Sequence, residues 1–170
     1  MSITSRLPAN TNFLSKNRFR VVFPRAPKLE YFSQGIKIPT IEVMPVKQPT
    51  PFNALYSAGI NTKFNPVGLN IICDEDMVAW QEIHDWIIGY SFPREFKEYV
   101  EIKKRGLYAD MKLLLLSNAN QPTLEFTFIE AFPINLGAPD MIAEDDTGQY
   151  VTFPVLFRYD DFKIRRIKTL

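Results

Sequence analysis

The most informative stretch of this sequence is LNIICDEDMVAWQEIHDWIIG, which occupies residues 69–89. It begins as a continuous apolar run typical of a buried strand and then passes through three consecutive acids. From Asp76 the apolar period changes, because Trp80, Ile83 and Ile87 recur at the spacing of one helix face. The stretch therefore predicts a strand followed by an amphipathic helix, with Gly89 as its C-terminal stop.

The acids at this joint have a plain structural interpretation. Asp74 and Asp76 directly precede the predicted helix. Carboxylates in that position accept hydrogen bonds from free backbone N–H groups and interact favourably with the helix dipole. We therefore expect these two residues to cap the helix.

The same joint holds the sole cysteine and lies near the sole histidine, so catalysis and metal binding must also be considered. A Cys73–His84 nucleophile pair would require His84 to fold back onto the strand end, and the sequence has no oxyanion-type glycine turn. A metal site built from Asp74, Glu75, Asp76 and His84 would lack the second imidazole or Glu-x-x-His pair of helical sites. The sequence thus predicts no catalytic, cofactor-binding or metal-ligating residue.

Two other patterns have both a functional and a structural interpretation. The stretch EDDTG at residues 144–148 is compatible with a cation site, but an exposed acidic turn is the preferred interpretation. Several aromatic residues alternate along strands, as in base-stacking sheets, but this spacing favours a core: Phe126, Phe128, Phe153, Phe157 and Tyr159. The chain contains no G-x-G-x-x-G, Walker-type or G-x-S-x-G motif, so we do not expect an enzyme.

Composition is that of an ordinary soluble globular protein, with 170 residues, 46% hydrophobic and 23% charged. The net charge is +1, and the basic clusters at residues 103–105 and 163–168 are short. They favour solvated faces or protein contacts over a nucleic-acid site, because phosphate binding requires a concentrated basic surface. We expect no membrane anchor and no secretory signal, and one cysteine fits the cytoplasm.

Strand patterns dominate the rest of the chain. We expect a polar N-terminal arm over residues 1–17 and a single domain over residues 18–170. Within that domain the sequence predicts a first strand at 19–23, a hairpin over 110–132, and one last strand over 150–164. A weaker helical pattern covers residues 94–106, closed by Gly106. A long loop or extended hairpin is expected at 44–59, and a polar, acidic loop at 138–149. The expected architecture is mainly β with one flanking α-helix.

Three segments in succession carry a family resemblance. They are FNPVGLNIICDEDMVAWQEIHDWI at residues 64–87, LLLLSNANQPTLEFTFIEAFPINLG at 113–137, and VTFPVLFRYDDFKI at 151–164. In this order and spacing the chain resembles the tail tube proteins of contractile-tailed bacteriophages. The inner-tube protein of type VI secretion is similar in architecture. The resemblance covers residues 13–164.

The resemblance implies a β-sandwich or barrel-like subunit that forms rings. Six copies would form a ring, and stacked rings would form a hollow tube inside a sheath, through which phage DNA passes without specific binding. The implied location is the tail of the virion, after assembly in the host cytoplasm, with sheath and baseplate proteins as partners. Residues 1–17, 44–59 and 138–149 would reach adjacent rings, and polar or acidic side chains would line the lumen.

Two alternatives remain open at this point. The first is a baseplate protein of the same superfamily that initiates the tube. The second, from a different functional class, is a monomeric β-barrel that binds a small molecule or acts as an enzyme.

Overall fold

The computed structural model describes residues 11–142, 148 and 150–167. Its helices are α1 (Pro27–Phe32), α2 (Val78–Ser91) and α3 (Phe96–Arg105). Its strands are β1 (Phe19–Val22), β2 (Ser33–Lys37), β3 (Ile41–Val43), β4 (Val46–Pro49), β5 (Ala54–Ser57), β6 (Thr62–Phe64), β7 (Val67–Ile72), β8 (Ala109–Leu116), β9 (Pro122–Leu136), β10 (Thr152–Arg158) and β11 (Asp161–Arg166).

One long strand, β9, connects two antiparallel sheets. Its first part pairs with β8 and β11, and β8 pairs with β1; we call these strands sheet 1. Its second part pairs with β10, followed by β7 and β2, and we call these strands sheet 2. The strand order among the described residues runs open from β1 to β2 and does not close into a barrel. The predicted mainly β architecture is confirmed.

The change of sheet takes place at a bulge in β9. Glu130 has φ of 55°, in the left-handed region, and the β8–β9 register gains one residue on β9 at this point. The Glu130 N–H donates to Oδ1 of Asp110 at 3.1 Å, so the backbone group that the bulge removes from the ladder keeps a partner. A bulge of this kind bends a strand sharply. It allows one strand to belong to two sheets.

The core lies between the two sheets and consists of alternate residues from each. Phe128 of sheet 1 and Phe153 and Phe157 of sheet 2 are fully buried. Phe23 packs its ring edge-on against Phe157, with centroids 5.4 Å apart and planes at 86°. This contact joins the end of β1 to the opposite sheet. No polar or charged residue among the described ones is buried as a whole.

The main helix, α2, lies against this core with a different face from the expected one. The residues it buries are Ala79, Ile83 and Trp86, whereas Trp80 is only half-buried. The predicted stripe through Trp80 and Ile87 was therefore rotated by about one residue, which is 100° around a helix. Trp86, and not Trp80, faces the core, because it is the tryptophan that packs against Phe23 and Phe157.

Gly89 was predicted to end α2, and this was wrong. The helix continues to Ser91, and Gly89 is buried inside it. A Cβ at Gly89 would lie 2.3 Å from Cγ1 of Ile102 on α3. The glycine therefore serves close packing of two helices and not termination.

Replacing Gly89 by alanine should destabilise the protein by up to about 2 kcal/mol. Overpacking typically costs about 1–3 kcal/mol, and this cost exceeds the gain of about 1 kcal/mol from removing a helical glycine. Urea unfolding of Gly89→Ala measures the effect. As control, the same change in an Ile102→Ala background should stabilise the protein by up to about 1 kcal/mol, because the clashing side chain is gone and only the gain from removing a helical glycine remains. Equal destabilisation in both backgrounds would contradict the contact.

The other helices also differ from the single flanking helix that was expected. The weak pattern at 94–106 is a helix, α3, and Gly106 follows it with φ of 85°, so the predicted stop is confirmed. The short helix α1 was not predicted. Its signals were Pro27, in the position where a missing N–H costs nothing, and Leu29, which is buried.

The strands predicted from the sequence are present, except that the last one is divided into two. The 110–132 hairpin is confirmed as β8 and β9, and the first strand as β1. The single last strand was wrong: β10 ends at Arg158, and β11 then pairs with the other sheet. A continuous strand could not follow both halves of the bent β9.

Some expectations fall on residues outside the described ranges. These are residues 1–10 of the predicted arm and most of the 144–148 acidic stretch. The division into an arm at 1–17 and a domain at 18–170 stays a prediction. Within the part of the chain that the structure describes, no helix has the length and apolar character needed to span a membrane.

Candidate assembly interface

The acidic joint is a helix cap. The Asp74 carboxylate accepts hydrogen bonds from the N–H groups of Val78, at 3.1 Å, and Ala79, at 3.2 Å. Met77 connects strand and helix with φ of 53°, and its N–H donates to the carbonyl of Asp74 at 2.9 Å. The prediction for Asp74 is confirmed. Asp76 takes no part in the described hydrogen bonds at this helix start.

Removing the cap should weaken the protein measurably. Asp74→Ala leaves two backbone N–H groups without their acceptor and should lower the free energy of unfolding by about 0.5–2 kcal/mol. Glu75→Ala is the matched control, because Glu75 is a neighbouring acid that is exposed. Chemical denaturation of both variants makes the comparison, and equal stabilities would contradict the capping role.

The structure does not join Cys73 and His84 by any described contact. The Cys73 thiol lies 3.6 Å from the carbonyl oxygen of Asp74, and burial together with the Asp74 charge raises the pKa of this thiol. His84 stacks on Trp80 with centroids 5.2 Å apart, and its Nδ1 lies 3.1 Å from Oδ1 of Asp85. A raised pKa keeps a thiol protonated and therefore a poor nucleophile.

The other candidate sites resolve into structural roles where they are described. The aromatic residues proposed as either a stacking surface or a core are core: Phe126, Phe128, Phe153, Phe157 and Tyr159 are all buried. Among the described residues, no group of three or more His, Cys, Asp or Glu side chains is arranged to hold a metal ion. The basic cluster at 103–105 is the last turn of α3.

Sequence reasoning missed a charged cleft of about 320 Å³ between α2 and α3. Oε2 of Glu82 is buried there without a hydrogen-bond partner among the described residues, and burial raises the pKa of this carboxyl. The Arg25 guanidinium lies 3.9 Å above the Trp86 ring, and burial lowers the pKa of Arg25. The cleft holds cations and carboxyls together, so it favours neither sign of ligand.

A β-arm formed by residues 41–64 carries many exposed large apolar side chains. In this arm β3 pairs with β6, and β4 pairs with β5 beyond them, in two separate two-stranded sheets. Its exposed large apolar side chains are Ile41, Val43, Met44, Val46, Phe52, Leu55, Tyr56 and Ile60. A two-stranded ribbon is marginal alone, and many exposed large apolar side chains on such a ribbon are typical of an interaction site.

The two segments of the arm approach each other closely where Gly59 faces Met44. A Cβ on Gly59 would lie 1.7 Å from the carbonyl oxygen of Met44, so only glycine fits there. Residues 44–59 were expected to form either a long loop or an extended hairpin, and the pairing of β4 with β5 shows that they form the hairpin. Backbone pairing holds the strands of the arm together. Many of the side chains of the arm remain exposed to contact with another molecule.

The sheet edges differ in how they are protected. The second part of β9 is covered by α2, because Tyr90 donates to the carbonyl of Pro133 at 2.6 Å and Trp80 donates to that of Gly137 at 3.3 Å. The edges at β1, β11 and β2 have no further strand among the described residues. The β11 edge carries Lys and Arg, which discourages uncontrolled pairing.

Comparison with known proteins identifies the fold. No protein-family model matches the sequence, and no curated protein matches it. The anti-feeding prophage tube terminating cap superposes with a TM-score of 0.60 at 16% identity, over 98% of this chain and 100% of that one. A chain of the anti-feeding prophage baseplate gives 0.54 at 18% identity, over 94% and 99%. A chain of the PVC sheath–tube complex of an extracellular contractile injection system gives 0.55 at 13%, over 98% and 99%.

The chain has the tail-tube fold. The fold is matched over almost the whole length of both chains in each pair, so the resemblance inferred from three segments extends to the rest of the molecule. Identities of 13–18% are too low for a family assignment, and they show the architecture alone. Among the described residues, the exposed arm and the open sheet edges are surfaces that no other part of the chain covers.

Proposed function

We infer that this protein is a structural subunit of the hollow inner tube of a contractile tail, assembled as stacked six-membered rings. The observation that carries this proposal is the 41–64 arm, whose apolar side chains are exposed on a subunit with the tail-tube fold. Exposed apolar side chains in such number are typical of a surface that a neighbouring molecule covers. A ring of identical copies supplies that neighbour, and stacking repeats the contact.

The proposal includes the partners that a tube needs. A sheath surrounds the tube, a baseplate starts it, and DNA passes through the lumen without specific binding. The protein would be assembled in the cytoplasm of the host and reside in the tail of the virion. It performs no chemistry, and its work is mechanical.

A second candidate function has its own support. The structures that resemble this chain include a tube terminating cap and a baseplate chain, as well as a sheath–tube complex. A cap or baseplate ring uses the same fold but does not stack indefinitely. The subunit would then form a single ring at one end of a tube.

Assembly of the purified protein distinguishes these functions. Sedimentation velocity over a range of concentrations, with negative-stain electron microscopy, should show long tubes, alone or after addition of baseplates purified from the same particle. Rings that never lengthen would favour the cap or baseplate function. A monomer at every concentration, with or without baseplates, would overturn both.

A further inference from the structure

Helix α3 is attached to the rest of the subunit by few contacts. Among its described side chains only Ile102 is buried, and it packs closely against Gly89 of α2. At the end of α3, the Arg25 guanidinium donates to the carbonyl of Arg105 at 3.4 Å. Elements that bury few apolar side chains are the ones that open locally at a low cost in free energy. We therefore expect α3 to separate from α2 more easily than the two sheets separate from each other.

The cleft between α2 and α3 contains a carboxyl group whose charge is poorly compensated. Oε2 of Glu82 is buried there and has no hydrogen-bond partner among the described residues. Three cations attract this carboxyl from a distance, without an ion pair in the described part of the chain: Lys28 on α1, Arg105 at the end of α3, and Arg25. Burial outweighs their attraction and raises the pKa of Glu82. The closed cleft therefore disfavours the ionised carboxylate.

The other charged groups of the cleft are engaged elsewhere or lie on its lining. Nδ1 of His84 lies 3.1 Å from Oδ1 of Asp85, and the Arg25 guanidinium lies 3.9 Å above the Trp86 ring. The charged residues that line the cleft besides Glu82 come from every neighbouring element: Arg25 before α1, His84 and Asp85 on α2, Arg94 between α2 and α3, and Glu101 and Arg105 on α3. An ionised carboxylate without a donor is costly when it is buried, so Oε2 gains a hydrogen bond from water when the cleft widens.

We propose that Glu82 makes the attachment of α3 depend on pH. With this carboxyl protonated, the cleft is closed and α3 lies against α2. With the carboxyl ionised, α3 moves away from α2 far enough for water to reach Oε2. Because the pKa of Glu82 is raised in the closed form, closure is favoured below the ordinary pKa of a glutamic acid and is lost as the pH rises through the raised value. This property belongs to the single subunit and does not depend on the proposed tube assembly.

Native-state hydrogen exchange of the α3 amides measures this opening, after correction for the intrinsic exchange rate at each pH. In the wild-type chain the equilibrium constant for opening should rise by about threefold or more between about pH 4 and pH 7. Glu82→Gln has nearly the same shape but no titrating proton, so it should remove the rise and keep α3 closed at both values. A Glu82→Gln chain that keeps the rise, or that opens more than the wild type at neutral pH, would overturn the proposal.

A second variant predicts a change in a defined direction. Lys28 is exposed, and its charge favours the ionised form of Glu82. Lys28→Gln should therefore extend the rise in opening to higher pH, because the carboxyl in the closed cleft then holds its proton more strongly. In the Glu82→Gln background the same substitution should have no such effect. An unchanged profile for Lys28→Gln, or a shift to lower pH, would contradict the proposal even if Glu82→Gln failed to fold.

Two controls separate Glu82 from the other titrating groups of the cleft. Histidine side chains change charge near neutral pH, and His84 lines the same cleft. His84→Gln should nevertheless keep the wild-type profile, and so should Asp85→Asn, which removes a neighbouring exposed acid. Loss of the rise in either control would assign it to that residue and overturn the role of Glu82. Thermal melting by circular dichroism confirms that each variant is folded.

Discussion

Replacing Trp86 by alanine should lower the free energy of unfolding by about 3–5 kcal/mol, the usual cost of removing a buried Trp or Phe. Trp86 is only 3% exposed and packs against Phe23 and Phe157, with ring centroids 5.9 and 6.2 Å away. Its Nε1 donates to the carbonyl of Leu107 at 3.0 Å, and Arg25 lies over its ring. The substitution removes the packing, leaves that carbonyl without its donor and exposes the guanidinium.

Stability measurements make this prediction specific. Globular domains are stable by about 5–15 kcal/mol, so the loss would be a large part of the total. The melting temperature of a chain this size should fall by about 6–20 °C. Trp86→Phe is the control, because a phenylalanine ring keeps most of the packing and should lose clearly less. A loss below about 1 kcal/mol for Trp86→Ala would contradict the burial of this side chain.

Replacing Phe52 and Ile60 together by aspartate should prevent assembly without destabilising the subunit. Phe52 is 101% exposed and Ile60 is 97% exposed, so neither side chain has packing to lose within its own chain. Surface substitutions of this kind usually change stability by no more than about 0.5 kcal/mol. If a neighbour buries both side chains, each contributes about 1.5–3 kcal/mol to the contact.

The assembly measurement follows from that difference. A loss of about 3–6 kcal/mol corresponds to at least about a hundredfold rise in the critical concentration, since about 1.4 kcal/mol is one factor of ten. Sedimentation and electron microscopy report assembly, and thermal melting reports folding. The matched control is Phe92→Asp with Phe96→Asp, two exposed aromatic residues outside the arm. An equal effect in the control, or normal tubes from the arm variant, would contradict the role of the arm.

Local patterns predicted individual elements well, because the spacing of apolar residues along the chain reflects which side chains face the core and which face solvent. The 2-residue period of β8 and β9 and the turn between them were sufficient to predict their hairpin. The acid before α2 was correctly interpreted as a cap, since a carboxylate near free N–H groups acts within a few residues.

Contacts between distant residues were beyond the reach of these patterns. Gly89 has the sequence signature of a helix stop, and only the approach of Ile102 shows its actual role. The division between β10 and β11 depends on the Glu130 bulge in β9, which lies about 30 residues earlier in the chain. The 44–59 stretch reads as a loop or a hairpin, and backbone pairing decides between them.

The sequence by itself determined the β-rich class, the main helix and the resemblance to tube proteins, because hydrophobic period and turn residues act locally. Only the tertiary structure decided which surfaces are left for a partner. It placed the apolar residues of the arm outside the core. The exposure of a side chain depends on which residues pack around it, and those residues are often far apart in the sequence.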